Sequence, residues 1–322
     1  MADAAVLLHA RRKGVTTATV LPPGACMHRF QTIRLGLARQ LACLGLALLA
    51  TMPAGAAERS ATLLAEHAAL QAGLRDSPFG EPLLLRTGGS DALHTGEVMA
   101  VLPRTLASVA AALRSPASLC AVLVLHLNVR GCQPVAGAED TQLQVSVGPM
   151  RSSLPGLLQD LRLTLQLVSD TPGLFSTRLA APEGPLGSSD LQVQVEAVEP
   201  APGQTYLHIH YSQASGVAAR MATRLYLATA GRNKIGFSSM GLDAAGRPRP
   251  VDGEQAALER NVMRHYLALL ACTSVVGGTP AARMDARLRA WHALTERHAA
   301  QLHELDLASY LAEKRGAVVG LR

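Results

Sequence analysis

LRLTLQLV (161–168), LQVQVEAV (191–198) and YLHIHY (206–211) alternate apolar and polar residues. A period of two sends successive side chains to opposite faces of a strand, here one apolar and one wet. LQVSV (143–147) and LFSTRL (174–179) repeat the pattern. Turn formers separate the runs: Thr171-Pro172-Gly173, EGPLG (183–187) and PAPG (200–203). Such strands, so closely spaced, predict an antiparallel sheet with one face to cover. KIGFSSM (234–240) reads as a further strand, and 217–230 fits helix or strand equally.

Working outward, EVMAVL (97–102) is strand-like and closed by Pro103. Leu106, Val109, Ala110 and Leu113 then recur at helical spacing. Ser115 is placed to cap a second helix with Pro116 at its first position. An earlier helix carries Leu63, Leu64, His67, Leu70 and Leu74 before Pro78, and TGGSD (87–91) reads as a turn or linker. Downstream, 254–276 forms a long helix that ends before Gly277-Gly278. Pro280 opens another, with Met284, Leu288, Trp291, Leu294 and His298. The tail after Lys314 is expected to fray. The order is strand, two helices, about six strands, then a long helix, the natural cover for the sheet's apolar face.

The chain has 322 residues, 48% hydrophobic and 17% charged, too apolar for a disordered chain. Residues 27–57 read as a secretory signal peptide. Arg29, Arg34 and Arg39 precede the apolar LACLGLALLA (41–50), and small residues follow Pro53. That apolar core is too short to span a bilayer. Cys43 opens the apolar core rather than ending it, which argues against lipidation. Residues 1–26 then look like an over-extended start. Removing 1–57 takes six of the 30 basic residues and one of the 24 acids, leaving 24 against 23. The mature chain has no basic field to attract phosphates, so nucleic acid is not an expected partner.

Export places the remaining cysteines in an oxidising compartment, periplasmic or extracellular. Cys120 and Cys132 lie twelve apart with Gly131 between them, and a disulfide is expected there. Cys272, in LALLACTSVV (267–276), is expected as a buried thiol.

The order of elements over roughly 96–276 resembles the helix-grip fold of START-related lipid-transfer proteins and polyketide cyclases, the SRPBCC superfamily. LHLNVRGC (125–132), GPLGSSDLQVQVEAV (184–198), YLATAGRNKIGF (226–237) and ERNVMRHYLAL (259–269) are similar to segments of a group of exported proteobacterial proteins with this fold. The resemblance implies an α+β domain: a curved antiparallel sheet of six to seven strands gripping the long helix, with extra terminal helices. It divides the chain into a leader (1–57), a helix and linker (58–95), the START-like domain (96–276) and a helical extension (277–322). It implies a hydrophobic or lipid-like ligand between sheet and helix, with transient membrane contact as an added expectation. Oligomeric state is not legible.

Candidate site residues follow from placement. Glu259, Arg264 and Tyr266 lie on the long helix, where one face would line the cavity and Arg264 could clamp an anionic head group. A surface ladder of ion pairs is the equal alternative. His126 and Asn128 end the second short helix, pointing into a pocket or satisfying helix-terminal carbonyls. Arg232 sits in a cationic turn, GRNK (231–234), with Arg220 and Arg224 adding to a basic rim. His208 and His210 share a face of one strand, but with no third ligand in sight no metal site is expected. No GxSxG, HExxH, P-loop or dinucleotide fingerprint occurs in the sequence, and no cofactor is expected. The functional expectation is a carrier for a hydrophobic ligand. The alternatives are a hydrolase or cyclase on the same fold, and a non-catalytic structural or interaction protein.

Overall fold

The computed structural model describes residues 54–318, apart from 91, 136–140, 150–157 and 230. The leader read at 1–57 lies outside the described residues up to position 53. The first helix, α1 (Ala54–Arg75), is followed by the hairpin β1 (Leu83–Gly89) and β2 (Leu93–Leu102). Two short helices come next, α2 (Leu106–Leu113) and α3 (Pro116–Leu123). The strands β3 (Val129–Pro134), β4 (Gln142–Val147), β5 (Gln159–Thr171), β6 (Leu174–Glu183), β7 (Ser189–Ala201) and β8 (Gln204–Ala214) then meander. Helix α4 (Val217–Ala228) and a small hairpin, β9 (Ser239–Leu242) with β10 (Pro248–Pro250), precede the long helix α5 (Gly253–Ser274). The chain closes with α6 (Pro280–Glu296), α7 (Ala299–Leu302) and α8 (Leu307–Val318).

Eight strands form one sheet in the order β1-β2-β8-β7-β6-β5-β4-β3, every neighbouring pair antiparallel. After β2 the chain crosses through α2 and α3 to the far edge, then returns strand by strand until β8 lies beside β2. This is the helix-grip arrangement, with β1 added at one edge. Register slips in the β5–β6 and β7–β8 pairs mark bulges, which bend strands and raise their twist.

Local chemistry explains the short helices. The Thr105 side chain accepts a hydrogen bond from the Ser108 amide and starts α2. Ser115 and Ser118 form a reciprocal capping box with Pro116 in the first turn of α3. Cys120 in α3 and Cys132 in β3 form a disulfide, their Cα atoms 5.3 Å apart.

The core fills the sheet's inner face. Val98 and Ala100 of β2, Leu163 and Leu165 of β5, Phe175 of β6 and Leu207 of β8 join one buried cluster with Val262, Met263, Tyr266 and Leu267 of α5. The outer face is not uniformly wet. Leu63 and Leu74 of α1 pack there on Met99, Leu174, Val198 and Tyr206. EVMAVL carried the signal, because an unbroken apolar run marks a strand buried on both faces.

Two expectations are corrected. Thr87–Gly89 does not form a linker but ends strand β1, zipped to β2 from Leu83 to Gly89. Residues 234–238 are not strand: β9 starts only at Ser239. Buried Glu259 captures the Phe237 and Ser238 amides that a ladder would need.

Candidate functional site

Helix α5 carries Glu259, Arg264 and Tyr266 of the polar residues singled out from the sequence, and the structure turns them inward. Glu259 is fully buried. One carboxylate oxygen accepts from the Phe237 and Ser238 amides at 2.6 and 2.9 Å; the other accepts from the Thr87 hydroxyl at 3.2 Å. It thus ties the sheet edge to the loop before β9. Gly236 is required beside it, since a Cβ there would sit 2.6 Å from the carboxylate. Arg264 donates to Glu304 at 2.9 Å and to the Leu302 carbonyl at 3.4 Å, so the C-terminal extension already holds its guanidinium. Burial lowers the Arg264 pKa, and Glu304 opposes the shift. Tyr266 is buried, which raises its phenol above the usual range.

The buried His126 ring stacks on His265 with centroids 4.4 Å apart, and its Nδ1 accepts from the Asn128 amide. Burial pushes His126 well below 6.5, helped by the nearby His265, Arg264 and Lys314, with Asn261 opposing. Burial, with Arg264, takes His265 to about 4. Lys314 of α8 reaches the same turn and donates to the carbonyls of His126, Leu127 and Val129. Its own pKa falls to about 7, through burial first and then Arg130. Asn128 and Arg232 are exposed. The structure therefore gathers His126, Arg264 and Tyr266 in the interior, with Glu259 at the edge of the sheet, and leaves Asn128 and Arg232 at the surface.

On the outer face, His208 and His210 share one side of β8 as the alternation requires. Sequence reasoning missed their neighbours. His208 lies between Glu66 of α1, 3.2 Å from Nδ1, and Glu97 of β2, 3.8 Å from Nε2. His210 stands 3.5 Å from Glu97. Arg59 forks onto Glu196 beside them, Nε donating at 2.7 Å. No spacing signal links Glu66 to Glu97, because only the docking of α1 brings them together. Among the described residues, no set of three or more His, Cys, Asp or Glu side chains is arranged to hold a metal ion. A shallow groove of about 290 Å³ opens here, lined by Arg86, Thr87, Gly88, Thr95, Gly96, Glu97 and His210.

The inner face is half covered at one end. Leu191, Val193, Ile209 and Tyr211 are only partly buried against the core. Helix α4 lies at this end, touching the 3-10 turn Pro185–Gly187 on one side and α5 on the other. None of its residues is buried. Tyr226 of α4 meets Arg260 of α5, the hydroxyl 3.5 Å from Nη2. Arg260 is buried, and its Nε finds no partner among the described residues. A second opening, about 10 Å³, lies between α6 and α8 around Leu127, Trp291 and Tyr310. Neither described opening lies between α5 and the inner face, where a cavity was expected; Val262, Met263, Tyr266 and Leu267 fill that layer.

No family model and no curated protein sequence matches the chain. Solved structures do. A START superfamily protein from Mycobacterium smegmatis matches at 12% identity, covering 42% of this chain and 88% of that one, with a TM-score of 0.30. Human StAR-related lipid transfer protein 5 matches at 14% identity, covering 55% and 91%, with a TM-score of 0.27. Norcoclaurine synthase from Thalictrum flavum matches at 9% identity, covering 46% and 78%, with a TM-score of 0.28. The helix-grip assignment rests on this chain's own strand order and on the placement of α5.

Proposed function

We propose that this START-like chain is an exported carrier of a hydrophobic or lipid-like ligand, held between the inner sheet face and α5 and admitted beneath α4. One observation carries the reading: α4 lies at the end of the sheet that bears the partly buried Leu191, Val193, Ile209 and Tyr211, held by the Pro185–Gly187 turn and α5, and buries no residue of its own. An element held so weakly opens at small cost. Opening it would expose apolar wall, and burial of the guest would contribute ~25 cal/mol per Å². Arg260 supplies the polar contact. Displacing Tyr226 would free a buried guanidinium with an unpartnered Nε for an acidic head group. The exported location draws on the leader and on the Cys120–Cys132 disulfide, which suits an oxidising compartment.

A second reading has its own observation. The layer between α5 and the sheet is one continuous buried cluster, as it would be in a structural protein whose core is filled by its own side chains. Native mass spectrometry of protein purified after export separates the two. The carrier reading expects a co-purifying lipid-sized mass that an Arg260→Gln variant retains less well. A bare protein mass, unchanged after incubation with oleic acid, contradicts it.

A further inference from the structure

We infer that α4 is a docking helix for anionic lipid surfaces. Val217, Met221 and Leu225 recur every four residues along it, and each is about two-thirds exposed: 66, 66 and 67%. Three large apolar side chains aligned on one helix face make a stripe, not the isolated exposures common on protein surfaces. Leu186 extends it. This residue sits on the turn against which α4 packs, at a φ of 57°, with its side chain 43% exposed. A leucine held in the left-handed region is a strained one, and such strain collects at working surfaces.

Charge identifies the occupant. From residue 200 to 242 the chain carries no Asp or Glu, but it does carry Arg220, Arg224, Arg232 and Lys234. At 100° per residue Arg224 and Arg220 lie about 20° and 60° beyond the Val217 edge of the arc that Val217, Met221 and Leu225 span, so both cations border the stripe on one side. Among the described residues Arg224 and Arg232 form no salt bridge, whereas Lys234 faces Glu304. An apolar stripe on a segment whose only formal charges are cationic fits the boundary between acyl chains and anionic head groups, with the helix lying in the plane of the interface. A second copy is the poorer fit, because apposed α4 faces would bring like charges together. Arg232 thereby finds a use at the surface. The inference stands on the α4 surface itself and holds whether or not a guest occupies the interior.

Co-sedimentation with vesicles tests it, using equal parts phosphatidylcholine and phosphatidylglycerol against phosphatidylcholine alone. The expected result is binding to the mixed vesicles at least about tenfold tighter than to the neutral ones, weakening as salt is raised. Met221→Ser with Leu225→Ser should cut binding more than about tenfold. Arg224→Gln with Arg232→Gln should cut it about thirty-fold. Unchanged circular dichroism would show the variants folded, and the salt dependence of the unaltered chain needs no variant. Equal binding to both vesicle types, or none, overturns the inference. So does a folded variant that binds like the parent, or a dimer that Met221→Ser dissociates in light scattering. Oleic acid binding in vesicle-free solution is read separately, so failure of the carrier reading would not be confused with failure at this surface.

Discussion

Glu259 shows how much one side chain can hold. It is fully buried, and three donors from two distant segments converge on it. Glu259→Gln keeps the shape but exchanges an acceptor oxygen for an NH2 facing backbone N–H groups. The expected cost is about 1–3 kcal/mol, read as a lowered urea midpoint. Glu259→Asp, one methylene shorter, should also lose stability. The stacked His126 and His265 set a pH dependence. Both have native pKa values below the unfolded 6.5, that of His265 about 4. On acidification the unfolded chain binds these protons first. Stability present above pH 6.5 is therefore lost as the pH falls from about 6.5 towards 4. Urea titrations across that range should show the loss, and His265→Phe should flatten the slope. A pH-independent midpoint would contradict the assignment.

Among elements, those with a local cause were legible. Ser115 and Pro116 announced α3, the period of two announced β4 to β8, and the apolar spacing over 254–276 announced α5, which ends at Ser274. Elements that exist only through their partners were not. β1 ends in Thr87-Gly88-Gly89, a turn by composition, and becomes strand because β2 pairs with it. β3 has Gly131 at its centre and is defined by pairing with β4. The site residues follow the same division. That Arg264 and Glu259 sit on the long helix could be read, but their capture by Glu304, Phe237 and Ser238 depends on packing across many residues. The disulfide joins α3 to edge strand β3 across a twelve-residue separation. Replacing both cysteines by serine should cost about 3 kcal/mol in the chain-entropy model. In the unreduced protein neither sulfur should react with a thiol reagent; labelling of both would refute the bridge. Helix α1 is fixed to the outer face by Arg59–Glu196 and by Leu63. Leu63→Ala should destabilise by about 2–5 kcal/mol and loosen α1 in hydrogen exchange before the sheet.

At the scale of the whole molecule, the sheet is covered on both sides but unequally. Inner helices α2, α3, α5, α6 and α8 seal most of the inner layer, α1 seals part of the outer one, and α4 lies at an end that stays half open. No single described helix is long and apolar enough to cross a membrane. In the carrier reading the α4 end is the entrance. A drug-sized guest fills ≈ 300–1,000 Å³, so it requires α4 to move away from the Pro185–Gly187 turn. The most direct measurement is methyl-selective NMR during titration with oleic acid. Shifts are expected to concentrate on the methyls of Leu191, Val193 and Ile209, with Met221 and Leu225 of α4 changing alongside them. Shifts absent throughout, or confined to the outer groove around Thr87 and Thr95, would contradict the carrier reading.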